Sequence, residues 1–123
     1  METGLTYTSR MVVAEHHLAM NVGSGDLPVL ATPMMMALME NAAMMAVRDV
    51  VGEGNSTVGG QISSSHIRPT GLGQAVTATA ELVAVEGRKL TFKVSASDGQ
   101  GLIGEGEHIR FIVGREKFMA KVV

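Results

Sequence analysis

Glu40 sits inside PMMMALMENAAMMAV, the run from Pro33 to Val47 in which only Glu40 and Asn41 are polar. A helix that is apolar nearly all round is a buried helix. A carboxylate within it loses its water, so it needs a hydrogen-bonding partner or a raised pKa. Ionisable groups in such positions gather at functional sites. A desolvated carboxylate of this kind can serve as a general base on water or attack a carbonyl directly. As a purely structural group, it would instead accept a buried hydrogen bond. The other polar candidates are weaker. The adjacent pair His16 and His17, and His108 in a later strand, lack metal-ligand spacing and read as solvated faces. A lone strand histidine such as His66 reads as structural or solvent-facing.

The composition narrows the function classes. The chain has no cysteine, which removes disulfides, thiol catalysis and zinc–thiolate sites. Aromatics are few, and six of the ten methionines lie between Met34 and Met45. Methionine adapts to irregular cores and pocket walls. Net charge is −2, with −4 on residues 1–61 and +2 on residues 62–123. Nucleic acid gains no general attraction from this balance, whereas a small phosphate-bearing molecule suits the basic half. The N-terminus lacks the apolar stretch of a signal peptide, and the Met-rich run is too short and too interrupted to span a membrane. A cytoplasmic, single-domain protein is expected over residues 1–123, without a metal or redox cofactor.

The elements that must hold Glu40 follow from local pattern. Residues 5–13 predict a first strand, and 14–31 a loop with one helical turn near His16–Met20. Thr32 followed by Pro33 predicts an N-cap and a first-turn proline, with the helix running to about Val51 before Gly52. Strands are expected over 57–68, 74–86, 88–97 and 102–113. Gly59 and Gly60 suggest a bulge or a close backbone approach in the first of these. Glu86-Gly87 predicts a hairpin turn, and Asp98-Gly99 a type I′ turn. The tail, 114–123, is expected to form a last turn or a strand end. Adjacent hairpins imply an antiparallel sheet in an α+β fold. One sheet covers only part of an all-apolar helix, so a second subunit is expected to cover the rest.

Three segments in order carry a likeness: GSGDLPVLATPMMMALME at 23–40, SSSHIRPTGLG at 63–73, and VTATAELVAVEGRKLTFKVSASDGQGLIGEGEHIRFIV at 76–113. Together they resemble the hot-dog fold thioesterases, and among these the fluoroacetyl-CoA thioesterase-like family. The resemblance implies a curved antiparallel sheet wrapped around one long helix. It implies a homodimer with acyl-CoA near the subunit interface, and the sequence leaves open whether two such dimers assemble into a dimer of dimers. It also implies a catalytic set at Thr32, Glu40 and His66. Gly59 and Gly60 fall where members of the family differ near the acyl pocket, and Met36 of the Met-rich run and Arg68 complete the candidate substrate-binding set. Coenzyme A enters as part of the substrate. Arg68, Arg88, Lys89 and Arg115 are candidates for its phosphates.

Thioester hydrolysis needs a nucleophile, a proton path and donors for the oxyanion. Glu40 fits as base or nucleophile, and His66 as its orienter or as the acid for the thiolate. Thr32, at a helix N-terminus where amides point outward, fits as oxyanion donor or nucleophile. Eight helical residues span about 12 Å, so Thr32 and Glu40 of one helix cannot readily reach one atom. Either Thr32 folds back toward the site, or the site takes Thr32 from one subunit and Glu40 from the other; the second is favoured. The expected activity is hydrolysis of a small or medium acyl-CoA. The competing readings are a non-catalytic acyl-CoA binding module, an enoyl-thioester hydratase on the same fold, and a helix serving only as a dimer core.

Overall fold

The computed structural model describes all of residues 1–123. Strand β1 (Thr6–Val12) leads through a 3-10 turn at Glu15–His17 and a short helix α1 (Ala19–Val22) to the long helix α2 (Thr32–Val47). Four strands follow: β2 (Asn55–Ser64), β3 (Ala75–Glu86), β4 (Lys89–Asp98) and β5 (Gly101–Gly114). A five-residue helix α3 (Arg115–Met119) takes the place expected for a last turn. All pairings are antiparallel, in the order β1-β3-β4-β5-β2. The curled sheet embraces α2, which packs mainly on β3 and β1. This is the hot-dog arrangement anticipated from the sequence.

Helix α2 presents Met35, Leu38, Met39, Ala42, Ala43 and Val47 to the sheet. Their spacing of three and four residues makes one apolar face. Phe92, Leu82, Leu90, Ile103 and Val76 close over it from the strands. Two details differ from expectation. The helix ends at Val47 rather than near Val51, and residues 48–50 form a turn. Burial is also confined to that single face. Met36, Glu40 and Met44, spaced four apart on another stripe, are only half-buried, and Thr32, Pro33 and Ala37 are exposed. The sheet reaches round one side of the cylinder and leaves the other side open within one chain.

The turns also refine the sequence reading. Gly87, with φ of 63°, opens the β3–β4 hairpin, as expected of Glu86-Gly87. The β4–β5 loop consists of Gly99 and Gln100, and Gly99 does not take the positive φ that a type I′ turn requires. The Asp98 carboxylate instead accepts the Gln100 backbone N–H at 2.8 Å and the Thr70 hydroxyl at 2.8 Å. Those bonds close the turn from a side chain.

Candidate active site

Thr32 is the first residue of α2, and Ala31 is its N-cap, without a side-chain capping bond. Thr32 is therefore not the cap that the Thr-Pro pair predicts. Its hydroxyl is used elsewhere: Thr32 Oγ1 lies 2.7 Å from His66 Nδ1. His66 stands just beyond β2, in a segment still tied to β5 by Ser65 N–H to Glu105 O and Ile67 N–H to Ile103 O. The strand expected to run to 68 ends at Ser64, but its pairing continues and fixes the imidazole. Thr32, His66 and Arg68 line a cleft of about 270 Å³ with Val29, Leu30 and Ile67. Burial lowers the His66 pKa below the usual 6.5, opposed by a backbone hydrogen bond at Arg68. Its Nε2 is buried and has no partner in the chain. Arg68 is held at the rim by Gln100 Oε1 at 2.8 Å and, more loosely, by Asp98 at 3.9 Å.

Glu40 occupies a different place. It lies two turns along α2, and Met36 falls between it and Thr32 on the same stripe. It faces Gly59 of β2, where a Cβ would stand 2.8 Å from Glu40 Oε2, 3.5 Å from His108 Cε1 and 3.6 Å from Arg110 Nη1. A side chain at 59 would fill the space that these three groups surround. The ladder slips between Gly59 and Gln61, which is the bulge suggested by the two glycines. Gly60 does not join the group, because a Cβ there would meet the Phe111 ring on the other face of the sheet. Neither ion pair of the chain includes Glu40, and its half-burial departs from the fully desolvated carboxylate anticipated.

His108 departs from the solvated strand position expected of it, and Arg110 joins it. His108 is 1% exposed and Arg110 7%. Arg110 Nε donates to Thr57 Oγ1 at 2.9 Å, Nη2 to Thr57 O at 2.9 Å, and Nη1 faces His108 Nε2 at 3.2 Å. A guanidinium can only donate, so His108 Nε2 must be the acceptor. The proton of neutral His108 then sits on Nδ1 and is donated to Gln61 O at 2.7 Å. Burial lowers the His108 pKa, helped by Arg110, while the Gln61 bond and Glu40 oppose the shift. The Arg110 pKa is likewise lowered by burial and supported by Glu40. Hydrophobic alternation hides this cluster, since IRFIV at 109–113 offers its apolar residues as the inner face.

The chain thus carries two separate clusters: a Thr32–His66 pair at one end of α2, and Glu40 facing Gly59, His108 and Arg110 nearer its middle.

Residues 13–116 match the family described as fluoroacetyl-CoA-specific thioesterase. A fluoroacetyl-CoA thioesterase from Streptantibioticus cattleyicolor is 38% identical over 99% of this chain and 92% of its own length. A solved fluoroacetyl-CoA thioesterase structure is 38% identical, with a TM-score of 0.92 over 99% of this chain and 95% of that one. A thioesterase-superfamily member from Thermus thermophilus is 26% identical, with a TM-score of 0.89 over 97% of this chain and 88% of that one.

Proposed function

Because this chain belongs to the fluoroacetyl-CoA-specific thioesterase family and is an acyl-CoA thioester hydrolase, we propose that its catalytic site is assembled from two subunits of a homodimer. Thr32 and His66 come from one subunit, and Glu40 comes from the other. The carrying observation is that the cleft of Thr32 and His66 contains no carboxylate, while Glu40 lies two turns along α2 on the stripe that the sheet leaves open. Pairing the open faces of two α2 helices brings a carboxylate toward that cleft from the partner subunit and covers Met36 and Met44. Strand β2 supports the same arrangement. It is a ten-residue sheet edge, NSTVGGQISS, without a single charge. Such an edge is a template for another strand.

The chemistry follows from these positions. The Thr32 hydroxyl donates to His66 Nδ1, which leaves the imidazole proton on Nε2. That N–H orients the Glu40 carboxylate. Glu40 takes a proton from water as the water oxygen attacks the thioester carbonyl carbon. The oxyanion is met by the Thr32 amide at the positive end of α2. Pro33 has no N–H, and Met34 N–H turns back to Ala31 O, so the Thr32 amide is the first donor available. When the tetrahedral intermediate collapses, the C–S bond breaks and Glu40 returns its proton to the departing thiolate. The products are a carboxylic acid and coenzyme A. The water-lysis step consumes no redox equivalent and needs no cofactor. The low His66 pKa suits a neutral orienting role.

The acyl group lies over Gly59, bounded by Glu40, His108 and Arg110, so we assign a small acyl chain. Fluoroacetyl-CoA, named for the 38% relative, is one such substrate. The protein acts in the cytoplasm as one hot-dog domain. The test is free-thiol release from a panel of acetyl-, fluoroacetyl-, propionyl- and longer acyl-CoAs, with wild type and Glu40→Gln. Release that falls at least a hundredfold in a folded Glu40→Gln dimer supports the reading. Undiminished release overturns it.

A further inference from the structure

Asp98 ends β4, where it pairs with Val76 of β3 and Gly101 of β5. One carboxylate oxygen accepts the Gln100 N–H at 2.8 Å, the ordinary bond by which an aspartate closes its own turn. The other oxygen has no part in the turn. It accepts the hydroxyl of Thr70, 28 residues away in the chain, at 2.8 Å. The Arg68 guanidinium stands 3.9 Å from the first oxygen and donates to Gln100 Oε1 at 2.8 Å. The Asp98 side chain is only 7% exposed. Burial alone would raise its pKa, but the Gln100 N–H, the Thr70 hydroxyl, the Arg68 charge and the Gly101 N–H hold it below the usual carboxylate value. A turn needs only one of these partners.

The remaining partners flank the Thr32–His66 pair. Arg68 is two residues beyond His66. Thr70 O accepts the Leu30 N–H at 2.8 Å, and Leu30 precedes Thr32 by two residues. Both halves of the pair therefore lead back to one carboxylate. The segment that carries His66 has little else to hold it. From His66 to Thr70 it forms neither helix nor strand. The Ile67 N–H bonds to Ile103 O at 2.7 Å, and beyond it residues 68–70 make a single backbone–backbone hydrogen bond, the one to Leu30. Pro69 has no N–H to give. The segment is also a thin wall. The Thr32–His66 cleft lies on one side, and a polar cleft lined by Thr70, Gly71, Gln74 and Asp98 on the other, with Arg68 and Pro69 common to both. A wall with a cleft on each face keeps its place through its bonds.

We propose that Asp98 is a positioning residue for the thioesterase reaction: through Thr70 and Arg68 it holds Thr32 and His66 at the 2.7 Å separation that fixes the imidazole tautomer. This deepens the reading above and rests on the catalytic role given there to Thr32 and His66. Asp98 does not line the cleft of the pair and acts only through its donors. The three paired strands around it supply rigidity, and the carboxylate passes that rigidity to both sides of the cleft.

The experiment compares wild type with Asp98→Ala, Asp98→Asn and Thr70→Val by thiol release, thermal melting and nitrogen NMR of the histidine rings. Asp98→Ala is expected to lower kcat by roughly 10- to 100-fold, as for a displacement of ~1 Å. The His66 ring should then report a mixture of tautomers in place of a proton fixed on Nε2. Asp98→Asn keeps an acceptor for Gln100 and a bonding group for Thr70, and is expected to bring kcat back to within about threefold of wild type. Thr70→Val keeps the carbonyl for Leu30 and removes one arm, so a loss of about 3- to 10-fold is expected. A lower melting temperature of Asp98→Ala with wild-type kcat and a single His66 tautomer would mark a turn that serves stability alone, and would overturn the proposal. An Asp98→Asn enzyme as slow as Asp98→Ala would do the same. If Asp98→Ala does not fold, Thr70→Val decides, and wild-type kcat with a single tautomer in that variant overturns the proposal. A tautomer mixture with kcat unchanged supports the clamp and counts against the catalytic reading of Thr32 and His66 alone.

Discussion

Replacing Gly59 by alanine separates the site from the fold. Gly59 does not adopt a positive φ, so alanine meets no backbone strain there. An added Cβ would stand 2.8 Å from Glu40 Oε2, inside normal carbon–oxygen contact by about half an ångström. His108 at 3.5 Å and Arg110 at 3.6 Å leave little slack on the other sides. The carboxylate must therefore move. Misplacement by ~1 Å costs about a hundredfold in rate, so a half-ångström shift is expected to lower kcat by roughly 10- to 100-fold. Stability moves the other way, since alanine in a strand gains about 0.5–1 kcal/mol over glycine, partly spent on the Glu40 contact. Gly60→Ala is the matched control. Its Cβ would stand 2.5 Å from Phe111 Cε2, a tighter clash, but against a partly exposed ring on the face of the sheet away from Glu40. Stopped-time thiol release and thermal melting of both variants give the comparison. A Gly59→Ala enzyme with wild-type kcat, or a Gly60→Ala enzyme with the larger loss, would refute the placement of Glu40 over Gly59.

Other variants probe the rest of the account. Thr32→Ser keeps the hydroxyl on His66 and is expected to retain activity within about fivefold, whereas Thr32→Val loses the tautomer lock and falls by about 10- to 100-fold in kcat. Met39→Ala empties a fully buried position on α2, and denaturant titration should show a loss of about 2–5 kcal/mol. The pKa values of His66 and His108 both lie below the usual 6.5 because of burial. The unfolded chain therefore binds more protons near that pH, so stability is full above about pH 6.5 and falls as pH drops through the lower folded values. His108→Gln, which retains an acceptor for Arg110, should flatten that acid limb in a series of melts.

The scaffold is readable because its cues are local and agree with one another. Thr32-Pro33 marks the start of α2, the strands alternate, and Gly59-Gly60 announces a bulge. The errors arise where tertiary contacts override such cues. Thr32 gives up capping for a hydrogen bond to His66. Asp98 closes its turn with its carboxylate rather than with a left-handed Gly99. The sequence of α2 reads as buried all round because it reports total apolarity, not which face the sheet covers. The largest miss lies in β5. There His108 and Arg110 point inward while Phe111 is 39% exposed, so the hydrophobic pattern selects the wrong face. A buried Arg110 is tolerable only because Thr57 and His108 accept its hydrogen bonds. That inversion, polar inside and aromatic outside, has no signature in a single sequence until the pairing with β2 is known. The resemblance names Thr32, Glu40 and His66 as candidates, and the structure joins Thr32 to His66 and sets Glu40 apart, facing Gly59. That separation is visible only in the coordinates.

The two-subunit site is tested most directly by mixing two inactive chains. Thr32→Val and Glu40→Gln are each expected to form folded dimers with little turnover. Co-expressed and purified as mixed dimers, they contain one site with both defects and one with neither. The account predicts recovery to about half the wild-type rate per mixed dimer on a small acyl-CoA. If every site draws Thr32 and Glu40 from the same chain, each site keeps one defect. Mixed dimers with no recovered thiol release would contradict the shared site.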